Sequence, residues 1–140
     1  MPDRGEPVSE SPLVLVIEDE YLLHAAVEDA LNEAGFAADI APSGEEALTL
    51  FMGQTKNYKA LITDINLRGK LTGWEVAHRI REKEGTLPII YMTGAAADQW
   101  TAQGVPNSIL IQKPFAPAQL ITALSNLLNV GSTSAGSQPS

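Results

Sequence analysis

The sequence predicts an α/β fold in which a parallel sheet of five strands is covered by helices on both faces. Three observations predict it. Short apolar runs rich in β-branched residues recur along the chain. Segments with apolar residues at helical spacing lie between them. The runs are continuous rather than alternating, as expected of strands buried on both sides.

Each element has a local reason. "LVLVI" (Leu13 to Ile17) reads as the first strand. Leu22, Leu23, Ala26, Val27, Ala30, Leu31 and Ala34 follow at helical spacing, with Gly35 as a C-terminal stop. "FAADIA" is a weaker second strand, and Ser43 with Glu46 reads as a capping box opening a helix that buries Ala47, Leu48 and Phe51. "ALIT" is the third strand, and the next helix turns Val76, Ala77 and Ile80 inward and stops at Gly85. "PIIYM" is the fourth strand, followed by an Ala-rich segment to Gln103 that predicts a short or irregular fourth helix. "SILIQ" is the fifth strand, and Leu120, Ile121, Leu124, Leu127 and Leu128 form the stripe of the last helix.

Composition sets the bounds. A chain of 140 residues fits one domain with a full core. Polar ends at residues 1–11 and 131–140 read as flexible tails around a domain at 12–130. No apolar run approaches the roughly 20 residues of a membrane span, and "MPDRGEPVSESP" lacks the apolar middle of a signal peptide, so a cytoplasmic protein is expected. A net charge of -8 argues against a direct nucleic-acid surface. The absence of cysteine excludes disulfides and thiolate metal sites.

In an open parallel sheet, ligands bind at the carboxyl ends of the strands. The first strand ends in Glu18, Asp19 and Glu20, the third in Asp64, the fourth in Thr93 and Gly94, and the fifth in Lys113 and Pro114. Clustered carboxylates repel one another unless a cation relieves them. Mg2+ prefers oxygen ligands and retains waters, so Asp19 and Asp64 suit direct ligation and Glu18 ligation through water. The Thr93 hydroxyl and Lys113 ammonium suit phosphoryl oxygens, and Asp64 among them suits a phosphoryl acceptor. Each residue alone has a plainer reading. Asp19 can complement a helix dipole, Asp64 can be a loop acid, Thr93 can close a turn, and Lys113 can be solvated. Their joint placement on one rim favours the shared site. His24 and His78 fall in helices without metal-ligand spacing, and Trp74 reads as core cover.

"VLVIEDE", "ALITDINL", "YMTGA" and "QKPF", in that order, resemble the receiver domain of two-component response regulators. The resemblance covers about residues 12–130 and implies the flavodoxin-like strand order 2-1-3-4-5. It implies that Asp64 is the phosphorylated aspartate and that Glu18, Asp19, Asp64 and the Asn66 backbone carbonyl hold Mg2+. Thr93 becomes the switch hydroxyl, Lys113 the lysine that contacts the phosphoryl group, and Lys113–Pro114 a cis peptide. The implied partner is a histidine kinase or histidine phosphotransfer protein. "YMTGAA" partly resembles a subclass that works with HWE-type kinases.

Some positions depart from the family pattern. Leu110 stands where a switch aromatic is common, the loop "INLRGKLTG" is about one residue longer, and Arg68 replaces a frequent Pro. Ala116 lacks the usual capping hydroxyl, which Pro117 can offset by presetting the first helical turn. The expected function is Mg2+-dependent phosphoryl acceptance that signals through an unidentified downstream protein, because the residues after the last helix are too few for a DNA-binding motif. A homodimer fits this scheme. The alternatives are a Mg2+-dependent phosphohydrolase with an Asp nucleophile and a binding module of the same fold that is never phosphorylated. The first lacks its usual Asp-x-Asp after strand one; the second leaves the acidic set unexplained. A flavodoxin-like cofactor binder is disfavoured because acids follow the first strand.

Overall fold

The computed structural model describes residues 11–53, 56–67, 69–94 and 104–133. The elements run β1 (Leu13–Ile17), α1 (Tyr21–Glu33), β2 (Ala37–Ala41), α2 (Gly44–Met52), β3 (Tyr58–Asp64), α3 (Gly73–Lys83), β4 (Ile89–Thr93), β5 (Ser108–Gln112) and α4 (Pro117–Thr133). All strand pairs are parallel, in the order β2-β1-β3-β4-β5. This is the expected flavodoxin-like order. The chain leaves β1 toward β2 on one side and returns as β3 on the other, so the strand order reverses between β1 and β3 and opens a crevice at their carboxyl ends. The short or irregular helix expected after β4 falls on residues 95–103, which lie outside the described residues.

Side chains alternate across each strand, so every strand feeds two cores. Leu15, Ile17, Leu61 and Tyr91 face Ala47 of α2 and Val76, Ala77 and Ile80 of α3. Val14, Val16, Ala60, Ile62, Ile90 and Met92 face Val27 and Leu31 of α1 and Leu120 and Leu124 of α4. Burying each large aliphatic side chain stabilises the fold by about 1.5–3 kcal/mol. That burial on both faces is why the strands read as unbroken apolar runs.

The helix ends refine the sequence reading. At α2 the Ser43 hydroxyl accepts from the Glu46 N–H at 3.2 Å, one half of the expected box. The full reciprocal box sits at α3, where Thr72 accepts from the Glu75 N–H at 3.1 Å and Glu75 accepts from the Thr72 N–H at 2.9 Å. At α4 Pro117 takes the first helical position, and the Ala116 N–H donates to Gln119 Oε1 at 3.2 Å. Gln119 thus supplies a bond that a capping hydroxyl could not make. After α1, Gly35 has φ +95° and the Phe36 N–H returns to the Leu31 carbonyl at 2.9 Å. Helix α4 runs to Thr133, three residues past the expected boundary.

Candidate functional site

The strand ends converge as the topology requires. Asp64 is the last residue of β3, and only 6% of its surface is exposed. The ladder continues beyond it, with the Ile65 N–H donating to the Met92 carbonyl at 3.1 Å. This holds the Asp64 backbone between β1 and β4. On the next turn of chain, Gly73 closes against it, donating its N–H to the Ile65 carbonyl at 2.9 Å. A Cβ on Gly73 would collide with the Asp64 carbonyl oxygen. Thr63 is buried, and its Oγ1 donates to the same carbonyl at 2.8 Å.

Glu18, Asp19 and Asp64 each bring a carboxylate oxygen to one place, all within 4.8 Å of one another. Glu18 is fully buried, and its Oε2 accepts from the Glu20 N–H at 3.0 Å. Burial pushes the Glu18 carboxyl above its ordinary value; the Glu20 N–H lowers it, and the Asp64 charge raises it again. Lys113 Nζ enters from the end of β5, 2.9 Å from Asp64 Oδ2 and 3.4 Å from Glu18 Oε1. Partial burial disfavours its ammonium, but the two carboxylates more than offset this and hold its pKa above the ordinary value. The Lys113 N–H donates to the Thr93 carbonyl at 2.6 Å, and Lys113–Pro114 is cis, as the resemblance implies.

Among the described residues, the Lys113 ammonium pairs with two of these three carboxylates, Glu18 and Asp64. The remaining negative charge, presented by hard oxygen donors at a partly open rim, fits a hard divalent cation. Thr93 is buried at the end of β4, beside Gln112 in the β4–β5 register. Asn66 lies two residues past Asp64 with its side chain exposed. The structure thus brings together Glu18, Asp19, Asp64 and Lys113, places Thr93 on the adjacent strand end, and sets Asn66 on the loop that leaves the cluster.

Some contacts near the site carry no sequence signal. Glu45 of α2 accepts from the Lys70 N–H at 2.9 Å, gripping the loop after Asp64. Leu110 pairs with Tyr91 across β5 and β4 and packs in the same core. Tyr91 is fully buried, its ring centroid is 4.6 Å from that of Trp74, and its hydroxyl accepts from the Val105 N–H at 3.3 Å. His24 meets the edge of the site, with Nδ1 3.4 Å from the Glu18 carbonyl oxygen and its ring edge-on to Tyr21.

Residues 14–125 match the response regulator receiver domain. The chain belongs to this family. A crystal structure of a response regulator receiver protein from Sinorhizobium medicae superposes with a TM-score of 0.83 at 39% identity, covering 86% of this chain and 97% of that one. A probable transcriptional regulator, ycf27, of Cyanophora paradoxa is 33% identical over 82% of this chain and 47% of its own length. The transcriptional regulatory protein CusR of Escherichia coli is 30% identical over 84% of this chain and 52% of its own length. The chain spans about half the length of these curated relatives. Receiver domains are signalling modules that accept a phosphoryl group on an aspartate in two-component systems, and the acidic cluster of this receiver is consistent with that chemistry.

Proposed function

We propose that Asp64 is the phosphoacceptor and that the donor is the phosphohistidine of a histidine kinase or phosphotransfer protein. The observation that carries this reading is the meeting of Asp64 with Lys113 at 2.9 Å inside the carboxylate cluster. A carboxylate oxygen of Asp64 attacks phosphorus in line with the phosphorus–nitrogen bond. That bond breaks, its electron pair returns to the imidazole, and the imidazole takes up a proton. Lys113 exchanges its contact with Asp64 Oδ2 for a phosphoryl oxygen, and the Thr93 hydroxyl donates to another. Positioning and charge neutralisation are the main means of catalysis in such transfers.

Glu18, Asp19, Asp64 and the Asn66 carbonyl are the residues that would hold Mg2+. When bound, Mg2+ supplies the positive charge that the phosphoryl oxygens need at this acidic rim. Glu18, buried and tied to the Glu20 N–H, orients Lys113. Asp64 is itself the substrate, so the chain acts as a switch rather than a turnover enzyme.

The phosphoryl group adds charge beside Thr93 and Lys113, and output follows from surfaces that respond to it. We further propose a cytoplasmic protein that signals by contact with another protein rather than with nucleic acid and is compatible with a homodimer. No helix among the described residues is long and apolar enough to cross a membrane. An HWE-type kinase is the donor class that "YMTGAA" favours.

Incubation with acetyl phosphate and Mg2+, read by intact mass, tests the assignment. Wild type gains one phosphoryl group, and Asp64→Asn gains none. Equal labelling of the two sinks it. Steady turnover of a generic phosphate ester would instead support the phosphohydrolase reading.

A further inference from the structure

The loop from Ile65 to Thr72 leaves the acceptor aspartate and carries Asn66. Its two ends are pinned by backbone bonds, Ile65 N–H to the Met92 carbonyl at 3.1 Å and Gly73 N–H to the Ile65 carbonyl at 2.9 Å. Its apolar residues Leu67 and Leu71 pack on the core facing α2 and α3. Between them Gly69 and Lys70 are exposed, and there a side chain of another element takes hold. Glu45, in the first turn of α2, accepts from the Lys70 N–H at 2.9 Å across 25 residues of sequence.

Gly69 is shaped to this contact. Its φ of +94° suits glycine, and a Cβ there would lie 2.8 Å from Glu45 Oε1. The preceding residue of α2 is equally close-fitting, since a Cβ on Gly44 would lie 2.6 Å from Val76 Cγ2 and 3.3 Å from Leu71 Cβ. The start of α2 and the loop are therefore built to touch. The bond also holds the Glu45 carboxyl below its ordinary value, the Lys70 N–H being the main cause. Glu46 occupies the same helix turn and the same dipole, and offers a built-in comparison.

We propose that Glu45 is a positioning residue for the acceptor site. Its carboxylate holds the β3–α3 loop in the conformation from which Asn66 and Asp64 serve one metal ion. The inference rests on the phosphoacceptor reading above. The longer loop needs such a grip because each added residue adds backbone freedom that must be frozen before the carbonyl of Asn66 can act.

Mg2+ titration of the full chain by calorimetry, without any phosphodonor, tests it on Glu45→Ala, Glu45→Gln and Glu46→Ala. Lys70 amide exchange is followed in parallel. Glu45→Ala should weaken Mg2+ binding roughly threefold to tenfold, the scale of one charge-assisted hydrogen bond at a surface, and should unprotect the Lys70 amide. Glu45→Gln keeps an acceptor oxygen and should retain most of both. Glu46→Ala should match wild type. Equal weakening in all three variants would mean lost charge rather than a held loop, and overturns the proposal. So does wild-type affinity in Glu45→Ala, or a wild type that binds no Mg2+. Failure of the phosphoacceptor reading shows separately, as a wild type that binds Mg2+ but takes no phosphate from acetyl phosphate.

Discussion

Lys113 Nζ stands 2.9 Å from Asp64 Oδ2 and 3.4 Å from Glu18 Oε1, so the end of β5 supplies a cation to this carboxylate cluster. Removing it leaves a fully buried glutamate beside a nearly buried aspartate. Breaking a buried ion pair from one side costs about 3–5 kcal/mol. Lys113 keeps 24% of its side chain exposed, so solvent screening brings the expected loss for Lys113→Met to about 2 kcal/mol. Urea denaturation at neutral pH without divalent cations measures it. A loss under about 0.5 kcal/mol, the range of ordinary surface changes, would show that the lysine does not stabilise the cluster.

The converse follows for Mg2+. A cation that binds the folded cluster and not the unfolded chain stabilises by about 2.7 kcal/mol at one hundred times its dissociation constant. Added Mg2+ should therefore raise the urea midpoint of wild type. Asp19→Asn should abolish most of that rise, and Glu20→Gln, whose side chain is outside the cluster, should keep it. An unchanged Mg2+ response in Asp19→Asn would remove Asp19 from the ligand set.

Much of this site was legible because each strand ends where an apolar run meets a polar residue. Glu18, Asp19, Asp64, Thr93 and Lys113 all follow such runs directly, and a parallel sheet collects those ends on one rim. The residues that support them were not legible. Glu45 meets the Lys70 N–H across 25 positions with no periodicity to announce it. The capping box was read at Ser43 and Glu46, whereas the reciprocal one is Thr72 and Glu75, with Gly73 and Trp74 between them. Gly73 carries no signal of its own in the sequence, yet a Cβ there would strike the Asp64 carbonyl. Contacts fixed by close approach between distant backbones leave no local pattern.

Gly73 makes a sharp prediction. Forcing a methyl group into a well-packed contact costs about 1–3 kcal/mol, and here the obstacle is backbone that cannot rotate away. Gly73→Ala should reach or exceed the top of that range and slow phosphoryl acceptance, because relief must displace Asp64. Gly85→Ala places its methyl in open space and should change stability little. Denaturation and acetyl phosphate labelling of the pair check both statements; equal behaviour would show that the fit at Gly73 is loose.

The cluster of Asp39, Lys56 and Tyr58 gives opposite pH responses at its two ends. Asp39 Oδ2 accepts from Tyr58 Oη at 2.7 Å and from Lys56 Nζ at 2.8 Å. Burial raises the Asp39 carboxyl, but these two donors outweigh it and leave it below its ordinary 3.8. Its stabilisation is present above pH 3.8 and is lost as pH falls through the lower folded value. The Tyr58 phenol is raised above 10.0 by burial first and by Asp39 second, so its share is lost as pH climbs beyond 10. Asp39→Asn should flatten the acid-side slope of stability against pH. A slope equal to wild type would show that the cluster adds no pH dependence.

Tyr91 tests what supports the strand beside Leu110. Its hydroxyl accepts from the Val105 N–H, and its ring packs on Trp74 at 4.6 Å between centroids. Tyr91→Phe keeps the ring and strands a buried N–H, which costs about 1–3 kcal/mol; the 3.3 Å bond is long, so about 1 kcal/mol is expected. Tyr91→Leu also loses the aromatic pair, worth about 0.5–1.5 kcal/mol beyond area, and leaves a cavity that the smaller Leu110 opposite cannot fill. It should cost at least twice as much as Tyr91→Phe. Urea titration of both variants decides between the two contributions. If Tyr91→Leu is no worse than Tyr91→Phe, the ring packing contributes nothing and the Tyr91 hydroxyl carries the whole of its contribution.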